Sequence, residues 1–225
     1  MIRPARGLRA VAFVAGAALL IVAAPARAQA PATRDDIVAQ LNRFESAPDV
    51  NVATLREQVL TRSRSRSKNE PPPQKRPPIA PELTALPAFN ADIQFDVDTP
   101  IVLPDSYQTV GRIADALVQA QLLPYSFLIV GHIEANGRRE NNVLLSQRRA
   151  DAIRDVLVNT FKISAKRLQA VGLGEEQLLD AAHPNAPVNN ALQIITIAKV
   201  PEQSEQPAQP KAAAPASAKK SARKR

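Results

Sequence analysis

Residues 131–150 read GHIEANGRRENNVLLSQRRA, and the run YSFLIVGHI (125–133) leads into them. That run is almost continuously apolar, which predicts a strand buried on both faces. The residues after the Ala135-Asn136-Gly137 loop predict a long helix from roughly Glu140 to Phe161. Each helical residue turns by about 100°; with Leu145 as the centre of the buried stripe, Ala152 and Val156 fall about 20° to either side of it and Ile153 about 80° round. Arg149 lies about 40° from that centre and Asn142 about 60°, both inside the stripe. Arg148 lies about 60° round the other way, away from Ile153 and toward the polar side with Asn141, Asp151 and Asp155. An arginine on an apolar face needs a partner.

Helical side chains lean toward the N-terminus, so Arg149 leans toward Asn142 and the loop carrying Glu134. Glu134 follows the end of the buried strand, where ligands sit in sheets flanked by helices. A carboxylate, an amide and a guanidinium then face one space. An acceptor beside a forked donor suits a small zwitterion, with its ammonium at Glu134 and its carboxylate at Arg149. The same spacing also suits a plain structural ion pair between Glu134 and Arg149, and spacing does not separate the two readings.

Working outward, AFNADIQFDVD (88–98) alternates at Ile93, Phe95 and Val97 and predicts a strand. Pro104 fits a helix start, with Val110, Ile113, Ala114, Leu117 and Val118 on one side. RLQAVGLG (167–174) predicts a strand ending in glycines, and ALQIITIAK (191–199) a last strand. The order β-α-β-α-β-β predicts an α/β sandwich, helices packed on a mixed sheet, over residues 88–200.

The flanks differ in character. Residues 1–28 predict a cleavable secretory signal: Arg3, Arg6 and Arg9, an apolar run from Ala10 to Ala24, and Ala26-Arg27-Ala28 for the peptidase. No twin arginine precedes that run, and no later segment is long enough to span a bilayer. Residues 29–60 predict a short amphipathic helical segment. Thr33 is its cap, with Ile37, Leu41 and Phe44, then Val52, Leu55 and Val59, at helical spacing. This segment would dock on the main domain, an envelope partner or a membrane surface. Residues 61–87, with alternating Arg and Ser and a proline cluster, predict an extended, solvated basic linker. Residues 201–225 predict a disordered basic Ala/Pro/Lys tail.

The 225-residue chain has a net charge of +8. Four arginines in residues 1–28 leave +4 beyond them, and residues 88–200, with ten basic and twelve acidic side chains, carry −2. The positive excess therefore lies in the flanks, which argues against a nucleic-acid face on the domain. With no cysteine and two histidines, disulfides, thiolate zinc sites and a lipidated cysteine are excluded, and a His-rich metal site is not expected. No cofactor loop or catalytic constellation is apparent. Val171-Gly172-Leu173-Gly174 lacks the remaining residues of a dinucleotide or phosphate loop.

Taken in order, Ile93-Gln94-Phe95, then Gly131-His132-Ile133-Glu134-Ala135-Asn136-Gly137, then Asn142, Leu145-Ser146 and Arg148-Arg149-Ala150, and finally Gly172-Leu173-Gly174-Glu175, resemble the peptidoglycan-associating domain family named after outer membrane protein A. The resemblance covers about residues 88–200. It implies that an OmpA-like domain binds the diaminopimelate of the peptidoglycan stem peptide through Glu134 and Arg149, with Asn142 supporting the site. The family's Thr-Asp is Ile133-Glu134 here, and its late Arg-Arg pair is Asn190-Ala191. The reading implied is a non-enzymatic periplasmic envelope protein that binds peptidoglycan. The alternative is a degenerate OmpA-like domain serving as a protein-interaction module, engaging an envelope partner through residues 33–60.

Overall fold

The computed structural model describes residues 31–46, 50–65 and 70–200; the expected signal (1–28) and tail (201–225) lie outside the described residues. Helices α1 (Arg34–Leu41) and α2 (Val52–Arg64) come first. They are followed by β1 (Ala88–Ala91), α3 (Tyr107–Leu117), β2 (Tyr125–His132), α4 (Arg139–Asn159), β3 (Leu168–Gly174) and β4 (Leu192–Lys199). The order from residue 88 is the expected one, and the architecture is mixed α/β. The sheet runs β1-β4-β2-β3. Strands β2 and β3 are parallel and joined by the α4 crossover, whereas β4 is antiparallel to both β2 and β1.

Strand β2 is buried along all but its first residue because both faces of the sheet are covered. Phe127 and Ile129 pack on one side with Ile113, Leu117, Ile153 and Leu157. Leu128 and Val130 pack on the other with Val52, Leu55, Val59, Ala80, Leu83 and Leu86. The second layer therefore comes from the segment ahead of residue 88, and two expectations change. The basic stretch is not a solvated linker throughout: residues 61–64 are the last turn of α2, and Pro81–Ala85 forms a 3-10 turn that buries Leu83. Nor is the apolar face of residues 33–60 free for a partner, since Ile37, Leu41, Val52, Leu55 and Val59 are all buried in the protein's own core. Composition pointed to solvent because arginine and proline are frequent there; the few apolar residues at the right spacing decide the packing instead. Each contributes about 1.5–3 kcal/mol on burial. Removing residues 31–87 is accordingly expected to expose the Leu128, Val130, Ile195 side of the sheet. The remainder should aggregate or lose its cooperative thermal transition, and a sharp melt from residues 88–200 alone would contradict this packing.

The helix that carries the candidate residues is seated by glycines. A Cβ on Gly131 of β2 would strike the backbone carbonyl of Ser146, and one on Gly172 of β3 would strike the backbone nitrogen of Gln147. Helix α4 thus rests its backbone directly on the two parallel strands. Gln147 Oε1 accepts from Gly172 N–H at 2.9 Å, and Ser146 Oγ accepts from Gly174 N–H at 2.9 Å. These contacts fix the height and phase of α4, and with them Asn142 and Arg149.

The first predicted strand is shorter than expected. β1 ends at Ala91, and the alternation at Phe95 and Val97 runs on into a separate hairpin in which Phe95 pairs with Val102. Asp98 takes a left-handed φ of 54° at its tip, and Val97 is exposed. An Asp-x-Asp-Thr-Pro turn ends the strand's pairing there.

Candidate functional site

The hairpin and the loop between β2 and α4 face one another across a cavity of about 350 Å³, lined by Phe95, Asp98, Glu134, Arg138, Arg149 and Asn190 among others. Glu134 and Arg149 share this space without forming a hydrogen bond to each other. The Arg149 guanidinium is held by backbone instead: Nε donates to the Thr99 carbonyl at 3.0 Å and Nη2 to the Asp96 carbonyl at 3.3 Å. Its Cζ lies 4.9 Å from the Phe95 ring centroid. Partial burial lowers its pKa and the nearby Asp98 carboxylate opposes that shift. The group stays cationic, since arginine titrates far above neutrality. Among the described residues Nη1 has no acceptor, so the fork is fixed in place with a donor to spare. This is how the arginine on the apolar stripe is satisfied.

Glu134 is positioned by its backbone. Its N–H donates to Asn190 Oδ1 at 3.2 Å and its carbonyl accepts from Asn142 Nδ2 at 3.3 Å, which leaves the carboxylate itself without an ion pair among the described residues. Asn190, where the resembling family has an arginine, thus braces the loop. Asn142 departs from the expected arrangement. It is buried, and its amide also donates to Asn136 Oδ1 at 2.9 Å and Glu175 Oε2 at 2.9 Å. Its place in α4 below the loop makes it a positioning residue rather than part of the wall that Glu134 and Arg149 share. Arg148 is exposed, as its phase on the helix predicts.

Two features escape sequence reasoning. Arg138 spans from the loop to the hairpin, donating to Asp98 through Nη1 at 3.0 Å and Nη2 at 2.8 Å. Its partner lies in a hairpin that the sequence presents as a strand. The second is a buried ionic cluster behind the loop. Glu175 and Glu176, just after β3, are buried. Arg139, the first residue of α4, hydrogen-bonds Glu176 with its Nη2 at 2.7 Å and Glu70 with its Nη1 at 2.6 Å. Arg62 Nε lies 3.1 Å from Glu176, and Arg76 Nη1 lies 3.3 Å from Glu175. A cation at a helix N-terminus is unfavourable by the dipole, and the two glutamates offset it. The cluster clips α2 and the segment around residue 76 to the base of the site loop.

His132 closes β2 and is buried, with Nδ1 2.8 Å from the Gln177 carbonyl and Nε2 3.1 Å from the Gln193 side-chain amide. Burial pushes its pKa below the ordinary value of 6.5, against the opposing effect of the two hydrogen bonds. The folded chain therefore keeps the ring neutral where the unfolded chain takes a proton. Stability present above a pH of about 6.5 is lost as the pH falls toward and through the lowered native value. Urea midpoints of the native protein should decline between pH 7 and pH 5 more steeply than those of His132→Gln; equal slopes would show that the ring does not contribute.

Residues 94–191 match the model of the OmpA family. This chain carries an OmpA-like domain. Over 97 residues it is 35% identical to outer membrane porin F of Pseudomonas aeruginosa, covering 43% of this chain and 27% of that protein. Over 86 residues it is 37% identical to a peptidoglycan-associated lipoprotein of Brucella melitensis, covering 38% of this chain and 49% of that protein. The chain thus spans less than half the length of these relatives. A solved OmpA-like domain of FopA1 from Francisella tularensis aligns with a TM-score of 0.41 at 14% identity, over 50% of this chain and 73% of that one. The peptidoglycan-associated lipoprotein from Burkholderia pseudomallei aligns with a TM-score of 0.38 at 22% identity, over 56% of this chain and 99% of that one. The match spans the hairpin, the loop, α4 and β3, and so contains every residue of the cavity wall but Ile93; α1, α2 and the segment to residue 87 lie outside it.

Proposed function

We propose that the OmpA-like domain binds peptidoglycan, without catalysing a reaction, in the periplasm of the cell that makes it. The ligand is the diaminopimelate of a stem peptide, whose ammonium meets Glu134 and whose carboxylate meets Arg149. The observation that carries this reading is the unpaired state of the two side chains: both line one cavity, each is fixed by backbone or ring contacts, and neither neutralises the other. A structural ion pair would close on itself; this pair leaves a gap of opposite charges for a zwitterion. The names of the relatives, peptidoglycan-associated lipoproteins among them, support the substrate class.

The interaction-module alternative required residues 33–60 to present an apolar face, and that face is buried. Sedimentation with isolated sacculi tests the proposal. The mature protein should co-sediment at low salt, and Glu134→Ala should remove most of the bound fraction. Equal recovery of both proteins would refute the site assignment.

A further inference from the structure

The cavity holds more charge than a single zwitterion uses. Besides Glu134 and Arg149 it is lined by Asp98 and Arg138, joined in a two-pronged pair across its mouth. The same two residues, with Leu145, also line a neighbouring cavity of about 230 Å³ that reaches Arg148. The pair thus contributes to the lining of both spaces. The hairpin is also tied to α4, through Arg149 and its carbonyl acceptors, so the pair is not the hairpin's only hold on this wall. Both side chains are about half exposed, 51% for Arg138 and 53% for Asp98, so the bond between them is screened and readily exchanged. Asp98 is also within the field of Arg149: hydrogen bonding by Arg138 first, and the two guanidinium charges as well, hold its carboxyl below the usual range.

We propose that Asp98 is a resident stand-in for a ligand carboxylate, and that Arg138 is a second anion-recognition residue which exchanges Asp98 for that carboxylate. This rests on the reading of the cavity as a stem-peptide site, and it adds a specificity. Diaminopimelate has two amino-acid ends. The zwitterionic end suits Glu134 and Arg149; the other end has a free carboxylate only where the stem peptide stops at the diamino acid. Exchange at Arg138 therefore favours peptides that end there over peptides in which that carboxyl is an amide. The step is an exchange of ion pairs, with no bond made or broken, and Asp98 passes into water at the exposed hairpin tip.

The test is calorimetric titration of the mature protein with a diaminopimelate-terminated tripeptide and with the same peptide amidated at its terminal carboxyl. The native protein should prefer the acid severalfold. Arg138→Gln should bind acid and amide alike. Asp98→Asn should tighten the acid by about fivefold, the order of one exposed ion pair, and alter the amide little. Asparagine accepts the left-handed conformation at this position, so the hairpin is kept, and matching thermal melts verify it. The gain should shrink in high salt. Equal affinities of the native protein for both peptides, or an Asp98→Asn that leaves the acid unchanged or weaker, overturns the exchange. If neither peptide binds the native protein, the stem-peptide reading falls and the exchange with it. If binding is lost in Arg149→Ala but is indifferent to Asp98, Arg138 and the terminal carboxyl, only the exchange falls.

Discussion

Glu176→Ala is expected to destabilise the fold by about 3–5 kcal/mol, the usual consequence of removing one partner from a buried ionic group. The Glu176 side chain is completely buried and is the common acceptor for Arg62 and Arg139. Its loss leaves three guanidiniums, those of Arg62, Arg76 and Arg139, with Glu70 and Glu175 to share, and Arg62 already has its pKa lowered, chiefly by burial. A loss of this size lowers the melting temperature of a domain of this length by roughly 6–20 °C. Urea denaturation measures it directly: a midpoint shift with unchanged slope is expected. A variant as stable as the native chain would mean that the cluster is hydrated in solution. The effect should also reach the site, since Arg139 opens α4 and the same cluster holds Glu175, an acceptor for Asn142.

Arg149→Ala is expected to abolish ligand binding, with a loss of about 2–5 kcal/mol in affinity, as for truncating one member of a hydrogen-bonded charge pair. The fold should survive, because the guanidinium sits at the rim of the core against Phe95 and two hairpin carbonyls, not within it. Those carbonyls reach solvent on truncation and are not left buried. Isothermal titration with the diaminopimelate tripeptide, alongside a thermal melt, separates the two effects. A variant that melts normally and binds as the native protein does would remove Arg149 from the site.

The sequence made much of this arrangement legible. Helical phase alone separates Arg149 from Arg148, and the structure has the first half-buried and the second exposed. The continuous apolar run of β2 announces a sheet covered on both faces. What the run does not announce is which segment covers the second face. The answer lies in Val52, Leu55, Val59, Leu83 and Leu86, scattered through a stretch whose bulk composition reads as solvated. The buried glutamates are hidden for the same reason: two of their arginine partners, Arg62 and Arg76, sit in that stretch, 99 or more residues upstream of Glu175 and Glu176. Period-two alternation also carried the first strand too far, because a hairpin and a sheet strand share that period, and only the turn at Asp98 distinguishes them. Asn142 has the phase of a site residue, yet three acceptors already lie around its amide, an outcome of loop geometry that periodicity does not encode.

The most direct measurement is a backbone NMR titration of the mature native protein with a diaminopimelate-containing stem peptide, repeated with Glu134→Ala. The account predicts saturable shifts centred on the hairpin tip, the Glu134 loop and the α4 turn at Arg149, and their loss in the variant while the rest of the spectrum is unchanged. A folded native protein whose spectrum is silent to the peptide, or whose shifts persist without the Glu134 carboxylate, would contradict it.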